Sequence, residues 1–260
     1  MAPNLKEDYE VKLILNPDLV LNPTNHVPTP ALLSAFSLSP TPTKMTIQFL
    51  DDDKKTIYHA GWSPRIRRTE DKPVFELTYK KRYPITAGNI DAALAAANAD
   101  GFDASDTKNE AQVEWGYNNM TLSISREKKV PGGKVGSTAL PDAETARKML
   151  MDEAPGKFKD FGGKKNWGVK ALEEARAYGP VLAERFVGTW GEAGVKVYVE
   201  IWPVMIKEEG RFEYIVEVSF KAGNRAEASL PRERLITMLE GEGWLCPRDS
   251  LKTQLIMDNY

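Results

Sequence analysis

The chain has 260 residues, with 35 Lys and Arg against 37 Asp and Glu for a formal net charge of -2, a balance that argues against the basic face of a nucleic-acid binder. The lone cysteine, Cys246, excludes an internal disulfide and a cysteine metal cage, and two histidines, His26 and His59, leave oxygen ligands as the means of holding a metal. No apolar run approaches the roughly 18 residues of a membrane span, and the polar opening from Met1 to Asp8 lacks a signal-peptide stretch, so a cytoplasmic protein without a membrane partner is expected. In chain order, alternation predicts a strand over 8–15, then a Pro-rich connection over 16–44. Strand patterns return over 45–50, 56–59, 63–68 and 74–81. An Ala-rich helix covers 89–98 and stops near Gly101, alternation resumes over 114–126, and the basic, Gly-containing stretch 127–137 reads as a loop, with a lid role open to it and to 16–44. Two helices over 142–153 and 168–178 form a helical insertion at 139–180. Long strands over 195–205 and 212–221, a helix over 231–240 and a closing Ser250-Leu251-Lys252 complete a single domain, 1–260.

Successive strand side chains point to opposite faces. Tyr9, Val11, Leu13 and Leu15 therefore oppose Asp8, Glu10 and Lys12, and Phe75, Leu77 and Tyr79 oppose Glu76, Thr78 and Lys80. Arg65 and Arg67 stand opposite Ile66, and Val197, Val199 and Ile201 oppose Tyr198, Glu200 and Trp202. Val216, Val218 and Phe220 oppose Glu217, Ser219 and Lys221. One apolar and one charged face per strand fits an antiparallel sheet with one wet side. Arg65 and Arg67 in i, i+2 register, like Asp8, Glu10 and Lys12, point instead to a sheet closed on itself, whose charged faces line a tunnel. Buried charges must then be paired or must hold a charged ligand.

The set Asp8-Tyr9-Glu10-Val11-Lys12 resembles the Glu-x-Glu-x-Lys signature of the CYTH, or triphosphate tunnel metalloenzyme, superfamily. Gly61-Trp62-Ser63-Pro64-Arg65-Ile66-Arg67 and Leu77-Thr78-Tyr79-Lys80 are similar to its next two elements, and Arg185, Glu200, Glu217 and Lys252 follow in the family's order. The resemblance implies an α+β fold: a closed antiparallel β-barrel of about eight strands, a tunnel with helices packed outside. It further implies a small-molecule phosphoanhydride or phosphate ester as substrate, and Mg²⁺ or Mn²⁺ as cofactor.

On that basis Arg65, Arg67, Lys80, Arg185 and Lys252 are expected to bind phosphate, since guanidinium and ammonium groups match its charge and acceptors. Asp8, Glu10, Glu200 and Glu217 are the expected metal ligands, with Glu10 and Lys12 as the catalytic pair. Lys12 has three open roles: orienting water, deprotonating it if its pKa is depressed, or pairing with Glu10. The sequence departs from the family pattern where Asp8 stands for the first Glu, Glu200 for an Asp, and Ser219 for a late Glu. The implied function is a divalent-metal-dependent phosphohydrolase acting on a triphosphate, organic such as thiamine triphosphate or inorganic. Because Tyr198 and Trp202 share the polar faces, with Trp115, Tyr117 and Trp190 near in sequence, two alternatives stand. One is metal-dependent processing of a prenyl or other organic diphosphate; the other is a non-catalytic polyphosphate-binding module.

Overall fold

In the computed structural model the described residues are 2–191, 194–206, 208–249 and 252–260, so Ser250 and Leu251 of the closing motif lie outside them. Alternating stretches become strands β1 (Glu7–Leu15), β2 (Thr43–Asp51), β3 (Trp62–Thr69), β4 (Val74–Ile85) and β5 (Glu110–Trp115). They continue as β6 (Met120–Pro131), β7 (Arg176–Trp190), β8 (Val195–Ile206), β9 (Arg211–Ala222) and the two-residue β10 (Leu245–Cys246). Nine of them close a ring in the order β1-β5-β6-β4-β3-β2-β7-β8-β9 and back to β1, with β10 on the end of β1. The expected closed barrel is therefore present, with one more strand than about eight. The extra member, β5, runs parallel to β1, while the other ring neighbours are antiparallel.

Closure puts the apolar faces outside, under helices. Helix Arg225–Gly241 lies across β1 and β9, where Leu235 and Leu239 meet Tyr9, Val11 and Leu13 in one buried cluster. On the far side Trp62 and Tyr79 pack edge-on or tilted against Phe158, which in turn meets Trp167. These contacts dock the helices of the 139–180 region, Ala143–Asp152, Gly156–Lys159 and Trp167–Glu173. A second apolar cluster lies inside the barrel at one end, where Ile256 and Met257 of helix Lys252–Asn259 meet Ile14, Ile47, Trp202 and Ile215. That end is thereby plugged by the chain's own C-terminal helix. Among the described residues, no helix is long and apolar enough to cross a membrane.

Four local expectations change. Residues Thr56–His59 form a helical turn instead of a strand, because the Asp51 and Asp52 carboxylates accept the N–H groups of Thr56, Ile57 and Tyr58. The stretch 127–131 extends β6 instead of forming a loop. Beyond it, 132–137 is tied down: the fully buried Arg68 guanidinium donates to the carbonyls of Val74, Gly132, Lys134 and Ser137. The second insertion helix ends at Glu173, and β7 takes over from Arg176. Helix Arg225–Gly241 starts well before Pro231, because Asn224 caps the N–H of Glu227 at 3.0 Å while Glu227 reaches back to Gly223 N–H at 2.9 Å.

Candidate functional site

The charged faces converge in a cavity of about 1190 Å³ that runs inside the ring. Among the described residues, ten basic and seven acidic side chains line it, an excess of three positive charges. Strand register sets who meets whom. Glu10 on β1 stands opposite Glu114 on β5, Arg185 on β7 opposite Glu200 on β8, and Glu200 opposite Glu217 on β9. Arg65 on β3 faces Thr78 on β4 across the ladder.

Two groups of ion pairs result. In the first, Lys12 Nζ lies 2.9 Å from Glu10 and 3.4 Å from Glu114, and Glu114 also accepts Lys80 Nζ at 2.7 Å. In the second, Glu200 Oε1 accepts Arg185 Nε at 2.8 Å and Nη2 at 2.6 Å, and its Oε2 accepts the Trp202 indole N–H at 2.8 Å. Lys252 Nζ then donates to both Glu200, at 2.6 Å, and Glu217, at 2.9 Å. Arg67 turns toward the buried Glu76, at 2.8 Å, which Lys72 and Thr69 also hold.

The electrostatics follow from this pairing. Burial pulls the Lys12 ammonium down, but Glu10, Glu114 and Glu217 outweigh it and hold its pKa well above the ordinary lysine value. The three carboxylates favour its charged form, which accords with the pairing role for Lys12 more than with the base role. Lys80 behaves differently: burial, reinforced by the charges of Lys12, Arg82 and Arg65, pushes it down to about 8 in spite of Glu114. Arg65 is pushed down to about 10 by burial and by repulsion from Arg67 and Arg82. Burial raises Glu200, yet Lys252 and Arg185 override it and keep that carboxylate low, while burial and the Glu200 charge push Glu217 up.

Of the expected residues, the structure brings together Glu10, Lys12, Arg65, Arg67, Lys80, Arg185, Glu200, Glu217 and Lys252 on one lumen. Asp8 is exposed and is not among the lining side chains, so its place as a metal ligand is not supported by geometry. Lys252 reaches the lumen but pairs with the two acids assigned to metal. Glu114 and Arg82 were not singled out from the sequence. The signal for Arg82 was present, since it continues the polar face of β4 two residues beyond Lys80. Of the aromatic residues, Tyr198 and Trp202 line the cavity. Trp115 packs outside against Tyr9, and Arg225 and Arg232 lie over its ring.

Among the described residues, no three acidic or imidazole side chains form a ready metal cluster. Glu200 and Glu217 nevertheless converge, from neighbouring strands, on one cation, the Lys252 ammonium. Carboxylate oxygens paired in this way suit a hard divalent ion.

No protein-family model matches the sequence, and no curated protein does. Solved structures do match its fold. One is the candidate adenylyl cyclase HpAC1 from Hippeastrum, for which a dominant triphosphatase activity is described, at 12% identity over 96% of this chain and 94% of that one, with a TM-score of 0.54. Another is a candidate adenylate cyclase from Bacillus halodurans, at 10% identity over 96% of each chain, with a TM-score of 0.51. The class of structure is thus a closed barrel with helices outside, a fold shared along nearly the whole chain with these two structures. A closed barrel with helices outside is the fold expected from the sequence.

Proposed function

We propose that the protein is a divalent-metal-dependent phosphohydrolase that takes a triphosphate into the barrel and cleaves its terminal phosphoanhydride bond. The observation that carries this reading is the excess of cations in an enclosed lumen, of which Arg65 has no carboxylate within 4 Å among the described residues. Buried like charges are costly unless an anion relieves them, and a polyanion of high charge density fits that requirement. The triphosphatase activity described for the Hippeastrum protein, on the same fold, supports it.

In this reading Arg65, Arg67, Lys80 and Arg185 bind the phosphate oxygens and stabilise charge that grows as the bond breaks. Glu200 and Glu217 are the residues that would hold Mg²⁺ or Mn²⁺, with Glu10 near them; bound there, the ion would neutralise phosphate charge and acidify water. Lys12, held protonated, orients the Glu10 and Glu114 carboxylates. Ile256 and Met257 pack in one cluster with Ile14, Ile47 and Trp202 at the apolar end of the barrel.

The test is phosphate release from tripolyphosphate, thiamine triphosphate, ATP and a prenyl diphosphate, each with Mg²⁺ and with chelator. Metal-dependent release of orthophosphate from a triphosphate is expected. Pyrophosphate with an altered organic product would replace this reading by the diphosphate one, and binding without turnover would replace it by a non-catalytic module.

A further inference from the structure

A second cavity lies outside the barrel, between helix Pro30–Ala35 of the Pro-rich connection, the end of β7 and the C-terminal end of helix Arg225–Gly241. Its volume of about 390 Å³ falls in the range of small-ligand sites. It shares no lining residue with the lumen. The sequence explains its walls. Leu32 and Phe36 are fully buried in the core, while Ala31 and Ala35, on the outer side of the same helix, leave space for the cavity. That helix is held against β7, where the Thr189 N–H donates to the Phe36 carbonyl at 2.9 Å and a side chain at Gly188 would collide with the same carbonyl. Trp244 is fixed on the other side: its N–H donates to the Leu239 carbonyl at 2.8 Å, and its carbonyl accepts the Asn16 N–H at 2.8 Å. The cavity is therefore preformed.

Its lining has one chemical character. Two indoles, Trp190 and Trp244, meet the Met238 thioether and the Glu242 carboxylate, and no Lys, Arg or His is present. Among the described residues, neither indole carries a cation or a second ring on its face, and the Glu242 carboxylate has no ion-pair partner. Glu242 follows directly on the 17-residue helix Arg225–Gly241, so its charge adds to the negative end of the helix dipole. Aromatic faces, a polarisable sulfur and an unpaired carboxylate all attract a cation. The kind of cation follows from what the lining lacks. A primary ammonium brings three N–H donors that must keep partners when they leave water, and alanines, indoles and a thioether do not supply them. A quaternary ammonium has no N–H to satisfy and presents methyl groups to the apolar walls.

We propose that this cavity binds a small quaternary ammonium compound, its methyl groups against Trp190, Trp244 and Met238 and its charge toward Glu242. The site is separate from the lumen, so it stands or falls independently of the phosphate reading.

The experiment is calorimetric titration of the full chain, at constant ionic strength, with choline, with ethanolamine and with dimethylbutanol, the uncharged carbon isostere of choline. It is run on wild type, Trp190→Leu and Glu242→Gln. Wild type is expected to bind choline with a millimolar or lower Kd and the other two at least about tenfold more weakly. Trp190→Leu keeps apolar bulk but removes the ring face, and should weaken choline about tenfold; Glu242→Gln should weaken it about threefold or more. Absence of choline binding by wild type at about 10 mM overturns the site. So does dimethylbutanol or ethanolamine binding as tightly as choline, or a choline affinity unchanged in either folded variant. Circular dichroism checks folding, and should Trp190→Leu fail to fold, Glu242→Gln, at an exposed position, decides by the same criteria.

Discussion

Lys80 and Lys12 are both lysines, both face the lumen and both touch Glu114, yet they titrate in opposite directions. The difference lies in their other neighbours. Lys12 has Glu10 and Glu217 as well, whereas Lys80 sits among Arg65, Arg82 and Lys12 and is pushed down to about 8. A lysine whose folded pKa lies below its unfolded value destabilises the fold while it is forced to carry charge. That penalty is full below about 8 and is relieved as pH rises toward the unfolded value of 10.5. Relative to Lys80→Arg, wild type should therefore gain stability between pH 8 and 10, read as melting temperature. Its affinity for tripolyphosphate should fall over the same range, because one cation is lost, and Lys80→Arg should remove the fall. A pH-independent affinity in wild type would contradict the assignment.

Lys252 supplies a second test at the residue scale. It is the shared cation of Glu200 and Glu217, and removing it leaves two buried carboxylates face to face. Lys252→Ala should lose about 3 kcal/mol in chelator, the scale of a broken buried pair. Millimolar Mg²⁺ should recover much of this and should raise the melting temperature of the variant more than that of wild type. A variant blind to Mg²⁺ would show that these acids do not hold the metal. Most of these residues were legible because each lies on the polar face of an alternating strand. Glu114 was not singled out, since Glu10 comes to stand beside it only through the long-range β1–β5 pair. The loose placing of Asp8 was equally hidden: alternation gives it the face of Glu10, but not its depth.

At the scale of elements, the turn at 116–119 does more than join β5 to β6. Asp249 accepts the N–H groups of Tyr117, Asn118 and Asn119 and the Asn119 side-chain amide, while Arg232 donates to the Gly116 and Tyr117 carbonyls. A side chain at Gly116 would stand 2.1 Å from Asp249 Oδ1, so glycine is required for the carboxylate to enter. The latch holds Asp249, three residues before Lys252 opens the last helix. Asp249→Ala leaves several donors without their acceptor and should cost about 2 kcal/mol in urea unfolding; a change under about 0.5 kcal/mol, the range of an ordinary surface substitution, would mean that the latch is ornamental. The same turn explains a misreading. Alternation over 114–126 looked continuous, yet the chain reverses at 116–119 and yields two strands. The strand β7 was missed where the insertion ends, because its apolar and polar residues alternate only in part, with Leu182 exposed and Arg185 in the lumen. The helix starting at Arg225 was readable from Asn224 and Glu227, and Pro231 drew attention to the wrong turn.

For the whole molecule, closure decides everything. The same alternating strands laid out as an open sheet would send Glu10, Arg65 and Glu200 into water, where ion pairs contribute little. Joined in a ring by β1–β9 and β1–β5, they put an excess of cations into an enclosed space. Alternation alone favoured the open sheet; the order of the charged residues along the chain favoured the ring. What a single sequence did not disclose is the parallel β1–β5 pair, which depends on contacts between segments a hundred residues apart.

The central claim, that these converging cations grip and activate a triphosphate, is tested most directly by following tripolyphosphate with Mg²⁺ by phosphorus-31 NMR, for wild type and Arg65→Ala. Wild type should convert it, with one water, into equal amounts of orthophosphate and pyrophosphate, and Arg65→Ala should do so about 10²–10³-fold more slowly, the scale of one lost electrostatic stabiliser. Unchanged tripolyphosphate signals with wild type, or the same rate in both proteins, would contradict it.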